Sequence, residues 1–513
     1  MTAMKRRTVL KTAAATALVL PAAGSLRAAP QRGGTFRMGK AHGQTTDTLN
    51  PATWENGFTI AMGFGIHNFM TEVAADGSLV GEIAESWEAS AGATVWRFKI
   101  RQDVTFHNGR AVTANDVMAS LNHHRGEDSA SAAKPLVAPI TNMVAEDDNT
   151  LVVELDAGNA DFPFIVSDYH MPILQANDDG SVDWQSGVGC GGYVLRNFEP
   201  GVRADLERYD GYWKSDRAHF DAIEMISIID PTARTNAFTS GEVDAIDRVD
   251  LKTVSLLQRQ RGVNIHSVAG TQHYTYAMHT NTAPYDNNDV RLGLKYAIDR
   301  EELVQKILKG YGVVGNDHPI GPGQRFHASD LEQRTYDPDR AKFHLEQAGL
   351  SSLDVKLSVS DAAYGGAVDA GVLYSESARA AGINLEVVRE PNDGYWSNVW
   401  LVKPFSAVYW SGRPTEDWMF STAYERGVDW NDSYWDHDRF NELLYAARAE
   451  TDEAQRRQMY FDMQEICSNE GGVIVPMFAS YVFATSDKVG FEDQFASNWD
   501  MDGERSFERW WFA

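Results

Sequence analysis

The sequence predicts an α/β fold with mixed sheets, because strand patterns alternate with amphipathic helix patterns through much of the chain. A chain of 513 residues is longer than one hydrophobic core usually organises, which predicts two or three domains. Apolar residues make up 43% of the chain and charged residues 23%, a balance typical of soluble globular proteins. We therefore expect several packed α/β domains in one soluble chain.

The amino-terminal half gives clear strand and helix signals. A short β-like run covers Thr35 to Met38, and "VWRFKI" (95–100) alternates apolar and charged residues as a half-buried strand does. Asn108-Gly109 then predicts a turn. Thr113 and Asp116 have the spacing of a capping box, so a helix should follow them.

The carboxy-terminal half alternates strands and helices. "TYAMHTN" (275–281) reads as a strand, and the caps at Asp299 and Asp337 open helices that end at Gly310 and Gly349. "LDVKLSVS" and "INLEVV" are strands that bracket another helix. The last long helices run from about Arg439 to Cys467, and "GGVIVPMF" returns from them as a strand.

Charge and targeting signals narrow the class of protein. The formal net charge of −26 argues against nucleic acid or anionic lipid as a partner, since both attract basic surfaces. Residues 1–28 have a basic start with Arg6-Arg7, an apolar run and small residues before the expected cleavage point, as in a twin-arginine export signal. No cysteine lies near that point. We expect a protein exported to the periplasm, soluble and without a lipid anchor.

Patterns of enzyme chemistry are missing from the sequence. The chain has no Gly-x-Ser-x-Gly, no His-Glu-x-x-His and no phosphate-binding glycine loop after a strand. Glu416 and Asp417 are adjacent, so their side chains should diverge. We therefore expect no catalytic residue, no metal site and no cofactor. Cys467 follows apolar residues at helical spacing and should be a buried thiol, although pairing with Cys190 stays open.

The run "AVYWSGRPTEDWMF" (407–420) ends a strand in a sharp turn crowded with functional side chains. The planar guanidinium of Arg413 suits a carboxylate or phosphate, while Trp410 and Trp418 can wall a pocket or stack on a ring. These residues therefore form a candidate ligand site. In the alternative, Arg413 and Asp417 pair with each other and only hold the loop in place.

Several segments resemble the extracytoplasmic solute-binding proteins of peptide-type ABC transporters, the dipeptide- and oligopeptide-binding family. The resemblance spans nearly the whole chain after residue 28, and the matching motifs occur in the family's order. They are "LVGEIAESWEAS", "WRFKIRQDVTFHNGRAVTANDVMASL", "GCGGYVLRNFEPG" with "LERYDGYWK", "FTSGEVDAID", "NTAPYDNNDVRLGLKYAIDREELVQKILKGYG" and "YDPDRAKFHLEQAGL".

This resemblance implies a two-lobed periplasmic binding protein fold with the extra domain of the peptide-binding family. Two crossover strands, expected at "YTYAMHT" and "VIVPMFASY", would form a hinge between the lobes. The implied divisions are 29–64, 186–277 and 479–513 for the three parts of domain I, 65–185 for domain II, and 278–478 for domain III.

The family pattern also implies ligand contacts. Peptide binders carry an Asp for the ligand's ammonium on the loop where this chain has Thr415, flanked by Arg413 and Asp417. Either Asp417 takes that role or the ligand has no free ammonium there. The remaining candidates, at the hinge strand and in neighbouring loops, are Trp410, Trp418, Tyr274, Tyr276, Tyr395, Trp396 and Trp54.

The implied function is capture of a short peptide or peptide-like solute and its delivery to an ABC permease in the inner membrane, by a monomer that is not an enzyme. Of the crossover tyrosines, one could line the cleft and the other the core. Two alternatives stay open: an oligosaccharide, opine or metal chelate as the ligand, or a periplasmic hydrolase.

Overall fold

The structure is a computed structural model that describes residues 30–127, 129, 131–392, 394–413 and 415–513. The predicted export signal therefore lies outside the described residues. Within these ranges, no helix combines the length and the apolar character needed to cross a bilayer.

Strands occur throughout the described chain. In chain order, β1 to β21 are Thr35–Lys40, Thr71–Val73, Leu79–Gly81, Ala84–Ala89, Val95–Ile100, Ile140–Asp147, Thr150–Leu155, Gln175–Ala176, Val182–Asp183, Tyr193–Glu199, Arg203–Arg208, Ala222–Ser227, Ala245–Ile246, Val263–Met278, Gly312–Val314, Leu353–Val359, Ile383–Arg389, Phe405–Trp410, Val473–Ser486, Val489–Gly490 and Trp511–Phe512.

Helices concentrate in the second half. In chain order, α1 to α16 are Gly57–Ile66, Ala114–Asn122, Lys134–Val137, Phe162–Ile165, Pro231–Thr239, Val254–Leu257, Asn288–Tyr296, Arg300–Lys306, Pro338–Gln347, Ala367–Ala378, Tyr395–Asn398, Glu416–Ala423, Asp438–Ala449, Glu453–Glu470, Asp500–Gly503 and Ser506–Arg509. Inside α15, Met501 and Asp502 have left-handed backbone angles, so this segment is a tight turn rather than a regular helix.

One large mixed sheet runs through the molecule in the order β10-β11-β12-β1-β13-β19-β14-β18-β16-β17. We call the part built on β10 to β13 and β1 the first lobe, and the part built on β16 to β18 with helices α7 to α14 the second lobe. A separate sheet, β4-β5-β7-β6, forms a small domain with α2 and α3. Fold class and mixed sheets are as the sequence predicts.

The long strands β14 and β19 belong to both lobes. They pair with each other over Val263–Ala269 in the first lobe and again from His273 onward in the second, where β14 also pairs with β18. The ladder is irregular between Ala269 and His273, where the chain passes from one lobe to the other. Both predicted crossover segments overlap these two strands.

Each part has its own buried core. The first lobe packs around Phe36 and Trp510, and the small domain around Phe98. In the second lobe, separate clusters cover the two faces of the sheet, one with Tyr276 and the other with Val408. Helices on both faces of the mixed sheet produce this two-sided burial. The exact division into domains I, II and III stays a prediction.

Local predictions are confirmed where capping chemistry is strong. Thr113 and Asp116 form the capping box of α2, and the side chains of Asp299 and Asp337 accept from backbone N–H groups at the starts of α8 and α9. Cys467 is buried and, like Cys190, is a free thiol.

Candidate ligand-binding cleft

The sheet topology directs two sets of strand ends at each other. Strands β13 and β14 are both antiparallel to β19, so β13 runs from the first lobe toward the second. Strand β18 is antiparallel to β14 and parallel to β16, so these strands run the opposite way. The carboxyl ends of both sets thus face the gap between the lobes. In open α/β sheets, ligands bind outside such carboxyl ends.

The run that the sequence analysis singled out lies at this edge of the second lobe. Strand β18 ends at Trp410, and α12 starts at Glu416 with Thr415 as its cap, whose hydroxyl accepts from the N–H of Trp418 at 3.3 Å. A Cβ on Gly412 would lie 1.7 Å from Oγ1 of Thr271, so only glycine lets this loop lie on the crossover strand.

The two acids of this loop anchor it from inside. The carboxylate of Glu416 accepts from the N–H of Phe326 at 2.8 Å, and that of Asp417 accepts from Nε of Arg448 at 3.0 and 3.2 Å. Burial raises the pKa of both carboxyl groups to about 6. The side chains diverge, as predicted. Asp417 is 8% exposed and already paired, so it is not placed to receive a ligand's ammonium.

Arg413 does not pair with Asp417, so the alternative in which these two residues hold the loop is wrong. Its Nη1 donates to the carbonyl of Ser411 at 2.9 Å, and its guanidinium lies 5.9 Å from the ring of Trp418. Burial lowers the pKa of Arg413, while the nearby Tyr169 and Asp168 act in the other direction. Among the described residues, no carboxylate forms an ion pair with Arg413.

Aromatic rings form a continuous wall beside the loop, which we call the aromatic wall. Neighbouring ring centroids are 5.6 to 6.3 Å apart, mostly in edge-to-face contact, a favourable arrangement. Trp410 is buried at its base, whereas Trp430 is 48% exposed. The wall consists of Trp396, Trp400, Tyr409, Trp410 and Trp430.

A buried carboxyl group supports the wall from behind. Nε1 of Trp400 donates to the carboxylate of Asp432 at 3.2 Å, and Trp410 donates to the same group. Asp432 is 2% exposed, and burial raises its pKa to about 7 despite these hydrogen bonds. The carboxyl group therefore fixes the ring orientations of two wall residues.

Two of the remaining predicted contacts, Tyr274 and Tyr276, lie on the crossover strand β14 and differ in burial. Tyr276 is fully buried in the second lobe, and its hydroxyl accepts from the hydroxyl of Tyr364 at 3.3 Å. Tyr274 is half-buried near the gap, with its ring stacked on Tyr364 at 3.9 Å. Tyr276 therefore belongs to the core, whereas Tyr274 keeps a partly exposed ring and stays the candidate for ligand contact.

Tyr395 and Trp54 are also core residues, contrary to expectation. The hydroxyl of Tyr395 donates to the carbonyl of Ala407 at 2.7 Å. Trp54 is 1% exposed, donates from Nε1 to the carbonyl of Thr48 at 3.0 Å, and covers α1. Both side chains are buried and their polar atoms are hydrogen-bonded, so neither presents a surface to a ligand.

The opposite side of the gap carries groups that the sequence analysis missed. The half-buried rings of Tyr169 and Trp499 meet edge to face at 5.4 Å on the side toward Arg413. On the first lobe, Arg248 follows β13 and is exposed, with a left-handed φ of 45°. Arg248 directly follows the matched motif "FTSGEVDAID" (238–247), so its place after a strand was the available signal.

A groove of about 780 Å³ opens where the first lobe, the small domain and the second lobe meet. It adjoins a small pocket at Arg413, Thr415 and Thr271, and the two share Phe164 and Arg325. This volume is in the range of small-molecule sites.

The carboxylates of Glu72, Glu82 and Glu508 converge closely enough to suggest a metal site. However, Nζ of Lys214 already lies 2.7 to 2.8 Å from each of them. Its amine holds the central position, so this cluster fits a buried ionic network that ties the carboxy-terminal segment to the rest of the chain.

Comparisons with known proteins agree with this geometry. Residues 78–448 match the model of bacterial extracellular solute-binding proteins, family 5. The chain is 23% identical to the dipeptide-binding protein DppE of Bacillus subtilis, over 89% of this chain and 91% of that protein.

Two solved structures share the fold. HbpA2 from Haemophilus parasuis matches with a TM-score of 0.81 at 18% identity, over 92% of this chain and 99% of that one. AgaA from Agrobacterium tumefaciens R10, solved with agropinic acid, matches with a TM-score of 0.71 at 21% identity, over 94% and 99%. The chain belongs to family 5 of the bacterial extracellular solute-binding proteins.

Proposed function

We propose that this protein is the substrate-binding component of an ABC importer that captures a short peptide or peptide-like solute between its lobes and delivers it to a membrane permease. The observation that carries the proposal is the meeting of two sets of strand carboxyl ends across a gap that β14 and β19 both span. A solute in that gap contacts both lobes only when they approach, so binding favours closure.

Side chains at and beside the carboxyl end of β18 support a solute of this kind. The aromatic wall offers rigid apolar surface, and the guanidinium of Arg413 offers two parallel hydrogen bonds to a carboxylate. The names of two similar proteins mention a dipeptide and agropinic acid as ligands, and both of these compounds carry a carboxylate. The cleft residues we propose as contacts are Trp396, Tyr409, Trp430, Arg413, Trp418 and Tyr274.

Intrinsic tryptophan fluorescence tests this proposal, because Trp396 and Trp430 are exposed in the wall. The probe is a pooled library of peptides of two to five residues. We expect a saturable fluorescence change, and native mass spectrometry should show one peptide retained per protein molecule. If no peptide is retained and the fluorescence does not change, the peptide proposal is wrong.

The matched control is Tyr445→Ala, which removes an exposed ring from the outer face of α13 in the same lobe. Trp430→Ala should weaken the response, whereas Tyr445→Ala should leave the affinity unchanged. Equal loss in both variants would show that the wall is not the binding surface.

A further inference from the structure

Arg248 is a positively charged residue whose charge partly opposes the effect of burial, which raises the pKa of Asp500. It lies two residues after β13, at the carboxyl edge of the first lobe. Its side chain is exposed, and its backbone carbonyl accepts a hydrogen bond from Nη2 of Arg234 at 3.0 Å. Among the described residues, no carboxylate forms an ion pair with its guanidinium.

The backbone of Arg248 is strained. Its φ of 45° lies in the left-handed region, which is unfavourable for a residue with a side chain. A glycine would avoid this cost. Strained residues of this kind cluster at functional sites, where the strain fixes the direction of a side chain.

The backbone next to Arg248 is held against the crossover strand β19, because the N–H of Val249 donates to the carbonyl of Val482 at 2.8 Å. Burial lowers the pKa of His42 to about 4, and the charge of Arg248 contributes to that shift. Burial raises the pKa of Tyr274 and Tyr481 on the two crossover strands, and Arg248 partly opposes both shifts. The guanidinium therefore lies near both crossover strands.

Arg413 approaches the same strands from the second lobe. Its loop lies on Thr271, and the hydroxyl of Thr271 hydrogen bonds with Tyr481, whose pKa Arg248 also affects. Two guanidinium groups without carboxylate partners thus flank one short stretch of the hinge. The overall charge of the chain is −26, so two such cations in one gap are a local departure from its acidic surface.

We propose that Arg248 binds a carboxylate of the transported solute, and that the solute is an anion held by Arg248 from the first lobe and Arg413 from the second. This inference rests on the proposed function and specifies its substrate class. Asp417 is buried against Arg448, so a free ammonium on the solute is not needed at that loop.

The test uses two panels of probes against the full protein in native mass spectrometry. The first is the pooled library of two- to five-residue peptides in four forms: unblocked, N-acetylated, C-amidated and blocked at both ends. The second contains small dicarboxylates and their diamides. We expect retention of probes with a free carboxylate, including N-acetylated peptides, and at least about 30-fold weaker binding of the amidated partners.

Variants assign the effect to Arg248. Arg248→Gln removes the charge, and Arg248→Gly removes the side chain while relieving the backbone strain, so at least one should fold stably. Both should bind a retained carboxylate probe at least about 30-fold more weakly. Arg259→Gln is the matched control, because it removes an exposed arginine of the first lobe beyond α6. Its affinity should not change.

The outcomes separate this inference from the proposed function. If peptides bind equally well with amidated carboxyl ends, the anion inference is overturned and peptide capture survives. If only the dicarboxylates are retained, the peptide proposal fails and the anion inference stands. Retention of no carboxylate probe, or unchanged affinity in both Arg248 variants, overturns the inference.

Discussion

Replacing Arg413 should weaken ligand binding, whereas replacing Asp417 should destabilise the fold. The reason is that Arg413 lies at the gap and Asp417 is buried in the core. Arg413→Ala removes a guanidinium that donates to the neighbouring carbonyl of Ser411, so the free energy of unfolding should change by less than about 1 kcal/mol. In a closed cleft, losing one partner of a charged hydrogen bond costs about 2–5 kcal/mol of binding free energy. Affinity should therefore fall roughly thirtyfold to several-thousandfold.

Asp417→Ala should destabilise the protein instead. It leaves Nε of Arg448 without the carboxylate that it now contacts at 3.0 Å. Loss of such a buried partner costs about 1–3 kcal/mol. We expect the lower part of that range, since the side chain of Arg448 is 26% exposed and keeps Ser421 and Glu425 as acceptors.

Calorimetric titration with a retained peptide, paired with thermal melts, separates the two effects. Arg413→Ala should keep the melting temperature and lose affinity, and Asp417→Ala should lose melting temperature and keep most of its affinity after correction for folded fraction. Undiminished affinity in Arg413→Ala would refute the placement of the ligand at this loop. A strong loss of affinity in a fully stable Asp417→Ala would refute our assignment of Asp417 to the core.

Three further predictions concern the wall, the hinge contact and export. Burial favours the neutral form of Asp432, so the contribution of this residue to stability should fall by at most about 4 kcal/mol as the pH rises from its ordinary pKa of 3.8 to about 7. Asp432→Asn should flatten this pH dependence in thermal melts between pH 4 and 8, and an unchanged slope would contradict the prediction. Gly412→Ala should lower both stability and affinity, because its Cβ would meet Thr271, whereas Gly427→Ala, which has open space for a Cβ but also a positive φ, should lower stability alone. Changing Arg6-Arg7 to Lys-Lys should leave the precursor in the cytoplasm, as fractionation would show; normal export would mean that the general secretory route is used.

The fold was predictable from local patterns, and much of the site was not. The strand at Val95–Ile100 and the caps at Thr113, Asp299 and Asp337 depend on residues within a few positions of each other, so the sequence displays them directly. The sequence also places Tyr274 and Tyr276 on one crossover strand, where one could line the cleft and the other the core. Which of the two is open depends on Tyr364, nearly a hundred residues away, and no local pattern contains that contact.

Contacts between residues far apart in sequence also explain why the alternative pairing of Arg413 with Asp417 was wrong and why the aromatic wall was missed. Arg413 and Asp417 are four residues apart, which suggests a pair, but α12 turns Asp417 inward to Arg448 on α13. The aromatic wall gathers Trp400 and Trp430 from separate segments around Trp410, so spacing along the chain could not reveal it. Arg248 depends on a left-handed backbone angle that sequence patterns assign to glycine rather than to arginine.

Small-angle X-ray scattering tests the central claim most directly, namely that a solute bound in the gap draws the two lobes together about β14 and β19. The protein is measured alone and with a peptide or dicarboxylate that native mass spectrometry shows to be retained, at a concentration where calorimetry shows saturation. The account predicts a smaller radius of gyration for the saturated protein and a smaller change for Arg413→Ala at the same probe concentration. An unchanged radius at full saturation would contradict it.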